Sequence, residues 1–299
     1  MLVGWLARRL WDGDTALASM LALACSPYFM ALGGIITLDM GLTLWMTATL
    51  FAFLAAERAR DSPKAQRAWM LCAWAAMALA VLSKGLVGII FAGAAVFFAI
   101  ALRRNITVLS RLHLIPGLAV FLAIAAPWFV AVSVANEEFA QFFFIHEHFA
   151  RFLTRAHRRV EPWWYFVPFF VLGFLPWMFA LPPAIVRAWR DEAGKAFQPL
   201  RISILWSASI FIFFSASGSK LPTYVLPAFP PLAVVLGRYL ARANERTLAW
   251  LVAPMVPLSI VAYWWTCWEF PLGSKDAWMW TLNQQMQPWA VGALSLIHI

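Results

Sequence analysis

The sequence predicts an all-α, polytopic membrane protein, and three observations support this fold class. Hydrophobic residues make up 63% of the 299-residue chain, charged residues only 12%, and the mean hydropathy is +0.74. Soluble domains carry about 25% charged residues, which excludes a soluble fold. The apolar runs do not alternate with polar residues as barrel strands do, so we expect helices. The 18 Trp and 25 Phe suit aromatic belts at the membrane interfaces.

Three apolar runs are too long to cross a membrane once, and each has a single charge near its middle. The runs are 15–56 with Asp39, 69–102 with Lys84, and 202–237 with Lys220. As single helices they would be about 50 to 60 Å long, whereas the hydrocarbon core is about 30 Å thick. We therefore expect each run to fold into a helical hairpin with its charge near the turn.

The apolar pattern predicts about nine to ten spans. Their bounds are 15–35, 38–56, 69–82, 86–102, 113–134, 163–186, 202–217, 222–240 and 248–266, followed by a half-length stretch at 288–299. The loops on one side hold sixteen of the 23 Lys and Arg residues. The positive-inside rule makes that side cytoplasmic, so the turns at Asp39, Lys84 and Lys220 face outward.

Neither end of the chain reads as a natural terminus. Residues 1–14 lack the order of regions found in a signal peptide, and the chain stops at Ile299 without completing its last crossing. We expect one transmembrane domain, 1–299, cut from a longer protein at both ends.

The charges inside the long runs are candidates for function, because an ionisable residue in hydrocarbon is costly. Lys84 and Lys220 are candidates for a site that binds an anionic lipid headgroup, since an ammonium binds phosphate as a point charge. Asp39 is then a counter-charge, a general base or a cation ligand. The alternative is that all three residues only mark turns and reach interfacial water.

Two further segments concentrate polar groups. The outer loop, 135–162, predicts an amphipathic helix in the membrane interface, with His148, Arg151 and Arg155 on one face. A solvated surface helix with no catalytic part is the alternative there. In the second segment, Ser217–Pro227, the prolines place Thr223 and Tyr224 on a distorted opening turn, which suits either a plain hairpin or a binding site.

Several motifs resemble those of the bacterial aminoarabinose transferase family, C-type glycosyltransferases related to protein O-mannosyltransferases. Residues 146–152 (HEHFARF), 161–168 (EPWWYFVP) and 173–177 (GFLPW) are similar to its EH..RF, EPWWYY.P and G..PW motifs. Residues 38–40 (LDM) resemble its LDP element, with Met in place of Pro, and 82–85 (LSKG) its SKG turn. The most specific match is KLPTYVLP, 220–227, which resembles the KLPxYxLP signature.

The resemblance implies that a sugar, such as 4-amino-4-deoxy-L-arabinose, moves from a polyprenyl-phosphate donor to lipid A or another glycan or protein acceptor. The reaction would take place at the periplasmic face of the bacterial inner membrane. We expect Lys84, Arg151, Lys220 and Tyr224 to bind the donor phosphate. The resemblance also implies a divalent-metal site that includes His148, and no nucleotide cofactor. Nucleic acid is not an expected partner, because the basic residues lie in short clusters between spans.

The chain departs from the family in one respect. The family's catalytic aspartate lies in a first periplasmic loop, upstream of every motif present here, so we expect the polypeptide as given to be inactive. Asp39 is only a weak candidate for the base. The rival function is a transporter or flippase of a lipid-linked sugar. Against it, the ionisable residues gather near one face and the sequence shows no inverted repeat.

Overall fold

The structure is a computed structural model that describes residues 1–35, 37–136, 138–139 and 161–253, with Pro257, Ile260 and Trp264 as isolated positions. The predicted loop residues 140–160, including His148 and Arg151, therefore lie outside the described part, as does the stretch 288–299. The chain divides into two compact units, 1–241 and 242–299. Within the described residues the regular elements are all helices, in agreement with the predicted fold class.

The described residues form thirteen α-helices and two 3₁₀ segments. The α-helices are α1 (Leu2–Leu10), α2 (Gly13–Ala24), α3 (Pro27–Gly33), α4 (Leu38–Arg58), α5 (Pro63–Lys84), α6 (Val87–Arg103), α7 (Thr107–Ser110), α8 (Leu114–Ala135), α9 (Phe166–Gly173), α10 (Leu181–Asp191), α11 (Pro199–Ala216), α12 (Phe229–Leu240) and α13 (Glu245–Val252). The 3₁₀ segments are Trp177–Phe179 and Pro222–Ala228. In the first unit, α4 packs along α5, α5 along α8, and α12 against α2.

Eight of the predicted spans fall within the described residues, and that number is higher than the structure shows there. Four helices, α4, α5, α8 and α11, are long and apolar enough to cross a membrane. Two bent pairs raise the number to six: α2 with α3, at 69°, and α9 with the segment Trp177–Asp191, at 105°. Pro27 and Pro176 lie at these bends, and a proline disfavours helical geometry in the residue before it. Helix α6 has 17 residues and is about 26 Å long.

The predicted span 222–240 is also wrong as a single crossing. Its first seven residues, Pro222–Ala228, form a 3₁₀ segment, and α12 adds only twelve residues, about 18 Å. Prolines at 222, 227, 230 and 231 remove backbone donors, which prevents one regular helix from forming. Instead of facing lipid, α12 is buried from Phe229 to Gly237. Gly237 allows close contact with α2, because a Cβ there would lie 2.1 Å from Ser19 Oγ.

Each of the three long runs breaks near its lone charge, as the hairpin prediction requires. The first run breaks between α3 and α4, just before Asp39, and the second turns at Gly85, whose φ of 85° suits glycine. The third run turns at Ser217–Leu221, between α11 and the 3₁₀ segment. Side-chain contacts between these turns place them at the same end of the bundle. We call it the Asp39 end, and the other end of α4 the Glu57 end.

Candidate functional site

The carboxylate of Asp39 is the centre of a polar cluster at the Asp39 end. Asp39 lies in the first turn of α4, where the helix dipole favours a negative charge. Its Oδ1 accepts a hydrogen bond from the ammonium of Lys84, with which it forms an ion pair. Its Oδ2 accepts a hydrogen bond from Thr223 Oγ1 at 2.7 Å. One carboxylate therefore joins the turns of all three hairpins.

Lys84 is the last residue of α5, where helix carbonyls lacking an intrahelical partner favour a positive charge. Its Nζ lies 4.5 Å from the ring centroid of Tyr224, in a cation–π arrangement. The side chain of Lys84 remains 25% exposed, compared with 11% for that of Asp39. The ammonium is thus held by Asp39 and Tyr224, at a position where the side chain is still partly exposed.

Thr223 and Tyr224 reach the cluster because the chain after Pro222 is a 3₁₀ segment rather than an α-helix. Tyr224 is buried, and its ring packs against Phe214 of α11 at a centroid distance of 4.8 Å. This contact fixes the aromatic face on which Lys84 lies. The distorted opening turn expected from the prolines is therefore observed, and it directs both side chains to Asp39 and Lys84.

Lys220 lies in the adjoining turn and is only 7% exposed. Its Nζ donates a hydrogen bond to the carbonyl oxygen of Ser217 at 2.7 Å. Among the described residues no carboxylate pairs with this ammonium, and the buried Oγ of Ser219 beside it has no hydrogen-bond partner. A buried charge is costly unless it is compensated, so this turn is suited to receiving an anion.

The remaining predicted site residues are not placed by the structure. Arg151 and His148 belong to the part of the chain that is not described. Within the described ranges no group of three His, Cys, Asp or Glu side chains is arranged to hold a metal ion. The metal site with His148 therefore stays a prediction.

The chain is similar to known proteins over most of its length. Residues 1–130 match the family described as dolichyl-phosphate-mannose-protein mannosyltransferase. The undecaprenyl phosphate-alpha-4-amino-4-deoxy-L-arabinose arabinosyl transferase of Enterobacter sp. (strain 638) is 31% identical over 283 residues, which is 88% of this chain and 49% of that protein. The transferase of the same name from Edwardsiella ictaluri is 33% identical over 246 residues, 81% of this chain and 43% of the relative.

Two solved structures show the same fold. ArnT from Cupriavidus metallidurans bound to undecaprenyl phosphate is 36% identical, has a TM-score of 0.79, and matches over 87% of this chain and 46% of its own. The apo form of that protein gives a TM-score of 0.80 at 35% identity, over 89% of this chain and 47% of its own. This chain is similar to members of the aminoarabinose transferase family over most of its own length. It spans about half the length of the relatives it matches.

Family motifs that are far apart in sequence meet in the cluster. The LDM, LSKG and KLPTYVLP segments supply Asp39, Lys84 and Tyr224, which the sequence singled out. Sequence reasoning placed Thr223 on the same turn but did not identify it as the partner of Asp39. The sequence feature that could have identified Thr223 was its position between Pro222 and Tyr224. The 3₁₀ geometry of this segment directs the Thr223 side chain toward Asp39 in α4.

Proposed function

We propose that the protein containing this chain transfers a sugar from a polyprenyl-phosphate donor to an acceptor, and that Lys84 binds the donor phosphate. The observation that carries the proposal is the Lys84–Asp39 pair, which is partly exposed and lies where three family motifs meet. Similarity to the aminoarabinose transferases supports the reaction class. The solved relative bound to undecaprenyl phosphate supports the donor class.

The geometry suits a phosphate that arrives and later leaves. Asp39 and Tyr224 hold the Lys84 ammonium in place, and this ammonium donates hydrogen bonds to phosphate oxygens when the donor binds. When the bond between sugar and phosphate breaks, negative charge grows on the phosphate. A preorganised cation lowers the energy of that state most effectively in a site with little water. Lys84 therefore stabilises the leaving group.

The other predicted residues extend this site. Lys220 provides a second, buried ammonium in the adjoining turn, and Tyr224 holds Lys84 through its ring. Arg151, in the outer loop, adds a guanidinium suited to bidentate phosphate contacts. Both oxygens of Asp39 already accept hydrogen bonds, so we assign Asp39 as the counter-charge of Lys84 rather than the general base.

The finer assignments follow from the family. We propose that the donor sugar is aminoarabinose or a related sugar, that the acceptor is lipid A or a similar glycolipid, and that the Asp39 end faces the periplasm from the inner membrane. The sixteen Lys and Arg residues counted on the opposite side support this orientation. We also propose that His148 contributes to a divalent-metal site in the outer loop.

The test uses the full-length protein in cells, with mass spectrometry of lipid A and growth on polymyxin as the two readouts. Lys84→Met and Lys220→Met are each expected to abolish the covalent sugar addition while the protein stays in the membrane. Lys64→Met is the matched control, because Lys64 is exposed at the start of α5, at the Glu57 end. Sugar addition that persists in both site variants overturns the phosphate assignment. A flippase would move the lipid-linked sugar without any covalent product on the acceptor.

A further inference from the structure

Tyr28 lies beside the cluster and is held in place by close packing. It is the second residue of α3, and its ring packs against Phe229 at 5.6 Å and Phe169 at 6.3 Å between centroids. Its Cβ faces Gly173 so closely that a Cβ at position 173 would lie only 2.3 Å away. The glycine of the GFLPW motif thus makes room for Tyr28, whose ring has little freedom to move.

The hydroxyl of Tyr28 is the exception in this apolar contact. Its Oη is buried and has no hydrogen-bond partner among the described residues. A buried phenol usually finds a partner, because leaving it unsatisfied costs stability. Such a group in a native protein calls for an explanation. A ligand that binds next to the hydroxyl and accepts its hydrogen bond provides such an explanation.

The surroundings indicate which ligand. Helix α3 packs against the 3₁₀ segment Pro222–Ala228, which carries Thr223 and Tyr224, and Phe229, which Tyr28 contacts, directly follows that segment. Two more buried hydroxyls without a described partner belong to the same turns. They are those of Thr37, which caps α4 just before Asp39, and Ser219, which precedes Lys220. Unsatisfied hydroxyls in the turns that carry Asp39 and Lys220 suit a ligand that has both negative charge and many polar oxygens.

We infer that the Tyr28 hydroxyl donates a hydrogen bond to the phosphate-linked sugar headgroup of the donor when it binds at Lys84. This inference rests on the proposed function and assigns a substrate contact outside the charged residues. The acceptor atom is a phosphate oxygen or a sugar oxygen. Both present the lone pairs that a phenolic O–H needs.

The test is Tyr28→Phe in the full-length protein in lipid nanodiscs, because this change removes the hydroxyl and keeps the ring. Undecaprenyl phosphate binding and sugar transfer from the loaded donor are measured separately. We expect a loss of about tenfold to 100-fold in one or both, the range for a hydrogen bond to a charged or strongly polar group. Loss in both assays identifies the phosphate as the partner, and loss only with the loaded donor identifies the sugar.

Thermal stability separates substrate contact from a structural role. If Tyr28 binds substrate, Tyr28→Phe removes an unsatisfied buried hydroxyl, so the melting temperature without ligand stays the same or rises. A lower melting temperature with unchanged binding and transfer would overturn the inference. Tyr239→Phe is the matched control, because Tyr239 lies near the far end of α12 and is expected to leave both assays unchanged.

Failure of the Tyr28 inference can be distinguished from failure of the proposed function. If Lys84→Met abolishes phosphate binding while Tyr28→Phe changes neither assay, the Tyr28 contact is wrong and the transferase function stands. If Lys84→Met leaves binding and transfer intact, the assignment of Lys84 to the donor phosphate is wrong, and if the wild-type protein itself transfers no sugar, the proposed function fails.

Discussion

The two ends of α4 each carry an acidic residue paired with a cation from the α5–α6 hairpin, yet the two pairs differ in exposure. Asp39, in the first turn, pairs with Lys84 at the end of α5, and Glu57, in the last turn, pairs with Arg103 at the end of α6. The side chains of the first pair are 11% and 25% exposed. Those of the second are 0% and 10% exposed.

This difference separates a pair suited to binding from a pair suited to structure. The helix dipole favours Asp39 at the start of α4 but opposes Glu57 at the end, so Glu57 depends more on its cation. Glu57 Oε1 and Arg103 Nη2 are also buried without a described partner. No ligand can exchange with a pair that is so enclosed. At the Asp39 end, by contrast, the side chain of Lys84 is 25% exposed, as expected for a cation that contacts a ligand.

The largest expected effect is at the enclosed pair. Arg103→Met leaves Glu57 buried and unpaired, which is expected to lower the free energy of unfolding by about 3–5 kcal/mol. SDS titration of the purified protein in mixed micelles measures this value. The double variant Glu57→Met/Arg103→Met is expected to recover most of the loss. Lys84→Met should cost about 1 kcal/mol or less, because that pair is partly hydrated. Equal losses at both ends would remove the distinction.

Among the described residues, a third buried carboxylate, that of Glu192, accepts hydrogen bonds from backbone N–H groups instead of pairing with a cation. Glu192 follows α10 and accepts hydrogen bonds from the N–H groups of Leu200 and Arg201, at the start of α11. Burial raises the pKa of Glu192 to about 7, although these two hydrogen bonds act to lower it. The folded protein therefore holds a proton here that the unfolded chain releases above its ordinary pKa of 4.5.

The sign of the pH dependence follows from that raised pKa. The stabilising contribution is complete below pH 4.5, is lost as the pH rises to about 7, and is constant above that. The total loss is expected to be about 3 kcal/mol at most. Unfolding measured from pH 4 to 8 should show this loss in the wild-type protein and not in Glu192→Gln. Parallel curves for the two proteins would contradict the prediction.

Thr223→Val tests how firmly Asp39 is held in its ion pair with Lys84. The change removes the hydroxyl that donates to Asp39 Oδ2 and keeps the shape of the side chain. Because the acceptor is charged, we expect a loss of about 2 kcal/mol in the free energy of unfolding. Thr223→Ser, which keeps the hydroxyl, should lose much less. A loss of similar size in both variants would show that packing, rather than the hydrogen bond, is responsible.

The smallest expected effect is on ligand affinity. Asp39→Asn removes the carboxylate charge that competes with phosphate for Lys84. A partly exposed ion pair is worth up to about 1 kcal/mol, so undecaprenyl phosphate should bind about fivefold more tightly. Titration in nanodiscs measures the change. Unchanged or weaker binding would show that Asp39 supports the bound state instead of competing with it.

The sequence predicted much of this architecture from particular residues. Lone charges in over-long apolar runs predicted turns at Asp39, Lys84 and Lys220, and all three turns are observed. The span prediction failed at 222–240, because hydropathy does not report that Pro222–Ala228 lacks α-helical hydrogen bonding. It also failed to show the bends after α2 and α9, where apolar residues continue through a change of direction.

The sequence by itself determined the class of protein, because burying 63% hydrophobic residues with so few charges requires a lipid environment. It also fixed which charges lie at turns, since a charge cannot remain in the hydrocarbon unpaired. Only the tertiary structure decided the partners. Asp39 contacts Lys84, 45 residues away in the chain, and Thr223, 184 residues away. Hydropathy along the chain does not predict contacts between residues so far apart. The difference in side-chain exposure between Lys84 and Arg103 likewise depends on how the helices pack.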